Sequence, residues 1–461
     1  MKDKIEEWKE EEAIEKLIDL LEEGDREERE EAAKALGLLG SREALTILME
    51  HIRNDPASTV RANAALALSN FEDESCKKAL EDASHDEDWE VRHDTAIAMG
   101  GFEDGTFEER LCSLIEDSEN EVRKKAIESL GRIADKDKIS ELKRFLEDES
   151  LKINAAKAIS EIGTEKAVEP LKDLYYGGSQ EVREIAINGL GDIDSEETID
   201  VLVEALKDDS WRIREETVKL IGEKNGESHI EYLIERLEDK NSYVVEAALR
   251  ALGTINGDEV IHHIEDKIES EEPGVRIAAA EALEKINSQK SAEILLEFLE
   301  YENNPRVLWS LSDSLSALSE NILGELEGEM DSLSEDKKIF VSVSMTKAGF
   351  SNYADRVIDL LDSEGWKIRQ KAAEALMSLD PSDLTKKTRK HLFKALRDRL
   401  SDNDKWVKAR SIRTLADLTT RCEEGIDRKS IREEILEMKK TEVDEDVLEA
   451  VKDAEKLFDQ L

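Results

Sequence analysis

One short phrase returns along this 461-residue chain at a nearly constant step. It reads EEREEAAKALG, STVRANAALALS, WEVRHDTAIAMG, NEVRKKAIESLG, QEVREIAINGLG, WRIREETVKLIG, PGVRIAAAEALE and WKIRQKAAEALM. Its basic position falls at Arg29, Arg61, Arg92, Arg123, Lys152, Arg183, Arg214 and Arg276, with Val245 as an exception, in steps of 29 to 32 residues. Self-similarity at such a period marks repeated supersecondary units that share one extended core.

The apolar positions of the phrase stand one residue before the basic position and three and seven after it, on one face of an α-helix. A second amphipathic run separates successive phrases, as in SREALTILMEHI, SEETIDVLVEAL and SAEILLEFLEY. Each unit therefore reads as two antiparallel helices joined by tight turns. Neither helix can bury its stripe alone, whereas stacked pairs bury a continuous core. With only 5 Pro and 22 Gly, little in the chain interrupts helix.

This pattern resembles the HEAT repeat, and its short step is similar to the subclass first recognised in phycobilisome-lyase-like proteins. The resemblance implies an all-α, right-handed α-α superhelical solenoid of HEAT/armadillo-type helix pairs. It also implies a ladder in which a turn Asp pairs with the basic residue of the same repeat. Asp55, Asp86, Asp117, Asp208 and Asp402 stand six residues before Arg61, Arg92, Arg123, Arg214 and Lys408. Gly177 occupies that offset before Arg183, and Asp239 faces Val245, so loosening is expected at those two repeats. Trp89, Trp211 and Trp366, three residues before the basic position, read as rings packed over the turns.

Four regions follow. A capping helix is expected over 1–22, regular repeats over 23–300, degenerate repeats over 301–380, and longer HEAT- or armadillo-like repeats with a terminal cap over 381–461. In the third region NPRVLWSLSDSLSAL and DKKIFVSVSMTKAG keep the apolar spacing and lose the Arg.

The 112 Asp and Glu against 66 Lys and Arg give a formal charge of -46, which repels nucleic acid and anionic lipid over most of the surface. It also suits a halophilic source, where salt screens charge. Cys76, Cys112 and Cys422 are odd in number and widely spaced, which fits a reducing compartment and no disulfide framework. The opening MKDKIEEWKEEE lacks the apolar stretch of a signal peptide, and no run is long enough to span a bilayer, so a cytoplasmic location is expected.

Chemistry leaves little trace. The resemblance admits a deoxyhypusine hydroxylase-like enzyme, whose di-iron site uses His-Glu dipeptides, but the seven histidines here precede Ile52, Asp86, Asp94, Ile230, His263, Ile264 and Leu392. A bilin lyase-like activity and an archaeal taxis adaptor rest on repeat grammar alone, which does not specify a function. His262 and His263 point about 100° apart on an ideal helix. Glu259 with His263, or His262 with Asp266, has chelating spacing but makes only a two-ligand site. The expected protein is a non-enzymatic scaffold without cofactor, holding a protein or peptide, its oligomeric state open between monomer and assembly.

By the resemblance, the phrase helix lines the concave side, and its residues one, two and five after the basic position face outward. Most are charged, but His93, Ile153, Asn154, Ile185, Asn188, Arg250, Ile277 and Trp309 form a mixed strip, of which His93, Asn154, Asn188, Arg250, Ile277 and Trp309 are the candidate contacts. Trp309 is the sharpest anchor on composition, or else a core residue displaced by one position. A second anomaly lies between Leu384 and Arg413, where eleven Lys or Arg meet three Asp, a net +8. Its leading residues are Lys386, Lys387, Arg389, Lys390, Lys394 and Arg397, and an acidic protein segment is the expected partner, ahead of nucleic acid.

Overall fold

The computed structural model describes residues 12–71, 73–102, 104–133, 138–255, 260–325, 333–422 and 425–459. Of the expected cap over 1–22, residues 1–11 lie outside this set, as does Glu259. Among the described residues every regular element is helical. The chain divides after Thr217 into two compact units.

In the first unit the helices are α1 (Glu12–Glu23), α2 (Arg26–Leu39), α3 (Arg42–Asn54), α4 (Ser58–Leu68), α5 (Glu74–Ala83), α6 (Trp89–Met99), α7 (Glu108–Leu114), α8 (Asn120–Ile133), α9 (Ile139–Leu142), α10 (Lys152–Ile162), α11 (Val168–Gly177), α12 (Gln180–Asp192) and α13 (Glu196–Ala205). Helix α14 (Trp211–Asn225) runs across the division. The second unit continues with α15 (Ile230–Glu235), α16 (Ser242–Gly253), α17 (Ile261–Ile268), α18 (Pro273–Ile286), α19 (Gln289–Tyr301), α20 (Pro305–Ala317), α21 (Glu320–Glu325), α22 (Glu335–Lys347), α23 (Asn352–Asp359), α24 (Trp366–Leu376), α25 (Lys386–Asp398), α26 (Lys405–Arg421), α27 (Arg428–Glu437) and α28 (Glu445–Phe458). Each unit is an α-α solenoid of stacked helix pairs.

Local chemistry sets the helix ends. Asp25 and Glu28 form a reciprocal capping box at α2, and Gly40 closes that helix at φ 60°. Asp73, Asp88, Ser195 and Asp404 accept backbone N–H groups at the starts of α5, α6, α13 and α26. Pro273 occupies the first turn of α18, where its missing N–H costs nothing.

The small residues of the phrase make a seam between successive phrase helices. A Cβ on Gly37 would stand 2.6 Å from Ala67, one on Gly131 2.5 Å from Ala158, and one on Gly253 2.6 Å from Ala282, each measured to the backbone Cα. Between α10 and α12 the roles are exchanged, with Ser160 on the earlier helix and Gly189 on the later, 2.4 Å from a Cβ to the Ser160 hydroxyl. Phrase helices thus touch along their backbones, and larger side chains such as Leu36, Leu68, Met99 and Leu130 fill the space towards the intervening helices.

The ion-pair ladder exists, but it runs between repeats and not within them. Arg61 donates Nε and Nη2 to the Asp86 carboxylate at 2.7 and 2.8 Å, twenty-five residues ahead, while its Nη1 donates to the Asp55 carbonyl, 2.8 Å away. Arg29 with Asp55, Arg92 with Asp117 and Arg183 with Asp208 repeat the side-chain rung. In the second unit the rungs join Arg276 to Glu302, Arg369 to Asp402 and Lys408 to Glu442. Each turn acid also accepts a backbone N–H two residues on, as Asp86 does from Asp88. Burial alone would raise the Asp86 carboxyl, but the Arg61 guanidinium and the Asp88 N–H outweigh it and hold it below its ordinary range.

The expected gap at Arg183 is therefore filled, because Asp208 and not residue 177 is its partner. A break falls at the one shortened repeat. Only 29 residues separate Arg123 from Lys152, so Asp148 stands four residues before the next basic position. Asp148 is turned to the N–H and hydroxyl of Ser150. Arg123 reaches Asn120 at 3.0 Å and leaves its Nε buried without a hydrogen bond.

Candidate interaction surfaces

Charged side chains at the outward positions of the phrase helices pair within their own helix, as Lys125 does with Glu128, or reach the next repeat, as Arg250 does to Glu281. Glu30 of α2 accepts hydrogen bonds from Arg26 and from Thr59 on α4. Asn154 donates to Glu128 across α8 and α10 at 2.7 Å, so this candidate already has a partner, whereas Asn188 is exposed.

Around His93 the surface opens. Thr59, Asn63, Trp89, His93, Asp94 and Glu121 line a shallow groove of about 350 Å³ over α4, α6 and α8. His93 Nδ1 lies 2.8 Å from Asp94 Oδ1, and the Trp89 ring meets the imidazole edge-on at 6.3 Å between centroids. Burial pushes the Asp94 carboxyl up, with His93 opposing the shift. Trp89 is 40% exposed, so it rests on the turn without being covered by it. Sequence reasoning assigned Trp89 to turn packing and overlooked Asn63, although Asn63 holds the same outward position, two after Arg61, as Asn154 does after Lys152.

In the second unit Arg250 donates to Glu281 at 2.8 Å, and Ile277 is half-buried. Trp309 packs edge-on against Phe340 at 5.0 Å and onto the apolar core of that unit. It is half-buried, a wedge between α20 and α22 with one edge at the surface.

The basic segment separates into two populations. On α26, Lys405, Lys408, Arg410 and Arg413 pair with Asp446, Glu442, Glu374 and Asp453. Arg397 and Arg399 pair with Glu434 and Asp362, and Arg389 donates to the Leu384 carbonyl. Lys386, Lys387, Lys390 and Lys394 of α25 are exposed and have no ion-pair partner among the described residues. Lys390 and Lys394 border a groove of about 550 Å³ between α25 and α27, with Phe393, Ile426 and Ile431 in its lining.

Among the described residues no three of His, Cys, Asp and Glu are placed to hold a metal ion. The His262 and His263 rings lie 3.7 Å apart, closer than the ideal helix angle implies, and burial and the neighbouring ring lower His263. Burial and Glu141 push the Cys112 thiol up to about 12, so it is not a nucleophile at neutral pH. No helix among the described residues is long and apolar enough to cross a membrane.

Stacked helix pairs, a small-residue seam and ion-pair rungs between many of the successive repeats define an α-solenoid repeat protein. The family model for HEAT repeats matches residues 3–69, 47–111, 77–153, 108–178, 174–252 and 230–316, together more than half of the chain. The chain belongs to the HEAT repeat family. No curated protein matches its sequence. Among solved structures it is similar to the Kap95:Nup1 complex, with a TM-score of 0.52 and 13% identity over 96% of this chain and 73% of that one. It is also similar to yeast importin-β (Kap95p), with a TM-score of 0.49, 13% identity and coverage of 96% and 73%. Karyopherin Kap121p bound to Nup53p gives a TM-score of 0.49 and 12% identity over 98% of this chain, which spans 54% of that one. At these identities the likeness is one of fold.

Proposed function

We propose that this chain is a non-enzymatic scaffold or adaptor that holds a protein or peptide partner on the outward face of its phrase helices. The observation that carries this reading is the groove at Trp89 and His93, where an exposed indole and the Asn63 amide stand on a face whose charged side chains elsewhere pair within a helix or with the next repeat. His93, Asn154 and Asn188 in the first unit, and Arg250, Ile277 and Trp309 in the second, are the proposed contacts. Regular repeats over 23–300 would present this face, with degenerate repeats to about 380 and longer ones beyond. A cytoplasmic, salt-tolerant setting agrees with the charge of -46. The Kap95:Nup1 complex offers a precedent only in kind, a similar fold in complex with another protein.

The test is site-specific photocrosslinking in cell extract, with the crosslinker at position 93 or 188 on phrase helices and at position 290 on α19 as the contrast. A partner captured from 93 and 188 but not from 290, whose affinity falls about tenfold with Asn188→Arg, supports the reading. Equal capture from 290, or affinity untouched by changes on the phrase helices, overturns it.

A further inference from the structure

We infer that the outer face of α25, with the groove between α25 and α27, is a second docking surface, and that its occupant is an acidic amphipathic helix. The proposal goes beyond the phrase-helix face and shares with it only the premise that this chain binds other proteins.

Helix α25 carries an arrangement of charge that folding does not explain. Lys386, Lys390 and Lys394 stand at i, i+4 and i+8 on α25, so like charges repeat about every 6 Å along one line. Such pairs oppose helix formation, and Lys386 and Lys387 also sit in the first turn, where the helix dipole disfavours cations. Within a chain of -46, acids to neutralise them are abundant, and the same segment shows it: six of its eleven basic residues pair with acids of neighbouring elements. Arg389 donates to the Leu384 carbonyl, and the remaining four, the lysines of α25, have no ion-pair partner among the described residues. Charge of one sign, held in a row and unpaired, is complementary to carboxylates on another chain.

The groove adds a small apolar area to the site, carried chiefly by Ile426. Phe393 and Ile431 are almost fully buried in its lining, and half-buried Ile426 joins them. Arg397 is held against Glu434 at 2.7 Å on one side of that groove, which leaves Lys390 and Lys394 as its exposed cations without an ion-pair partner among the described residues. A helix with Glu at i, i+4 and i+8 would match the lysine row in spacing, and an apolar side chain beside that row would reach the groove. Trp406 and His391 are not arranged to stack successive bases: the indole carries the Lys405 ammonium at 4.8 Å and the imidazole faces Asp355 at 3.1 Å. The surface is thus fitted to carboxylates and an apolar anchor, and not to a nucleic acid strand.

The experiment uses the full chain and a labelled synthetic peptide helix with Glu at three positions four apart and Leu on the adjoining face, followed by fluorescence anisotropy. The result expected is saturable binding that weakens with salt, falls about tenfold or more in Lys390→Glu/Lys394→Glu, and is lost when Gln replaces Glu in the peptide. Circular dichroism verifies that the double variant keeps its helix content. Equal binding of the Gln peptide, or of the double variant, overturns the proposal. So does preferential capture of phosphatidylserine vesicles or inorganic tripolyphosphate, or a self-association that the double variant abolishes. Asn188→Arg should bind the peptide like the wild type, so failure here leaves the phrase-helix reading standing and failure there leaves this one.

Discussion

Arg61→Ala should unstitch the stack locally and by a calculable amount. The guanidinium makes three hydrogen bonds of 2.7 to 2.8 Å, two to Asp86 and one to the Asp55 carbonyl. The Arg61 and Asp86 side chains are only 11% and 12% exposed, so the change leaves a largely dry carboxylate with the Asp88 N–H as its nearest donor. Breaking a buried pair from one side costs about 3 to 5 kcal/mol; the residual exposure and the remaining N–H argue for the low end, about 3 kcal/mol. Long repeat arrays depart from all-or-none unfolding, so the readout is native-state hydrogen exchange. A loss of about 3 kcal/mol accelerates exchange of protected amides in α4 to α6 about 100-fold, each 1.4 kcal/mol being a factor of ten. Arg250→Ala is the contrast: its pair with Glu281 is 44% and 38% exposed and should cost no more than about 1 kcal/mol. If Arg61→Ala changes exchange no more than Arg250→Ala does, the rung is ornamental and the account of how repeats are joined is wrong.

Three further outcomes follow from the same geometry. Gly131→Ala places a Cβ 2.5 Å from the Ala158 Cα and should cost about 1 to 3 kcal/mol, seen as a lower urea midpoint, although Ala is the better helix former. Asp55, Asp86, Asp117, Asp208 and Asp402 have depressed carboxyls, so their contribution is complete above the unfolded value of about 3.9 and is lost as pH falls through the lower folded values. The stability gap between wild type and Asp86→Asn should therefore close below about pH 4 and stay constant above about pH 5. Native Cys112, held up at about 12, should resist iodoacetamide at neutral pH and react only after denaturation.

The repeat itself was legible because burial imposes it: the residues at -1, +3 and +7 around Arg61 are Val60, Ala64 and Leu68, all buried. The direction of the ladder was not, for an arithmetical reason. With a step of 31, the Asp six residues before one Arg is also the Asp twenty-five after the previous one, so Asp86 satisfies both Arg61 and Arg92 on paper. Arg183 distinguished the two readings, with Gly177 behind it and Asp208 ahead, and Glu302 hid the rung of Arg276 by being longer than Asp. The basic segment was visible as a count. Which lysines stay unpaired depended on Glu434, Glu442, Asp446 and Asp453, 34 to 41 residues beyond their partners and brought near by stacking. Trp309 lay between core and surface in the pattern because it occupies both, edge-on to Phe340.

On the proposed reading, recognition occurs along the phrase helices and not by chemistry in an enclosed pocket. Hydroxyl-radical footprinting of the complex with the crosslinked partner tests it most directly, since indole, imidazole and branched aliphatic side chains report their own exposure. The account predicts that Trp89, His93 and the side chains at 153 and 185 become protected while Tyr301, 71% exposed at the end of α19, does not. Protection confined to the intervening helices, with Trp89 and His93 as reactive as in the free chain, would contradict it.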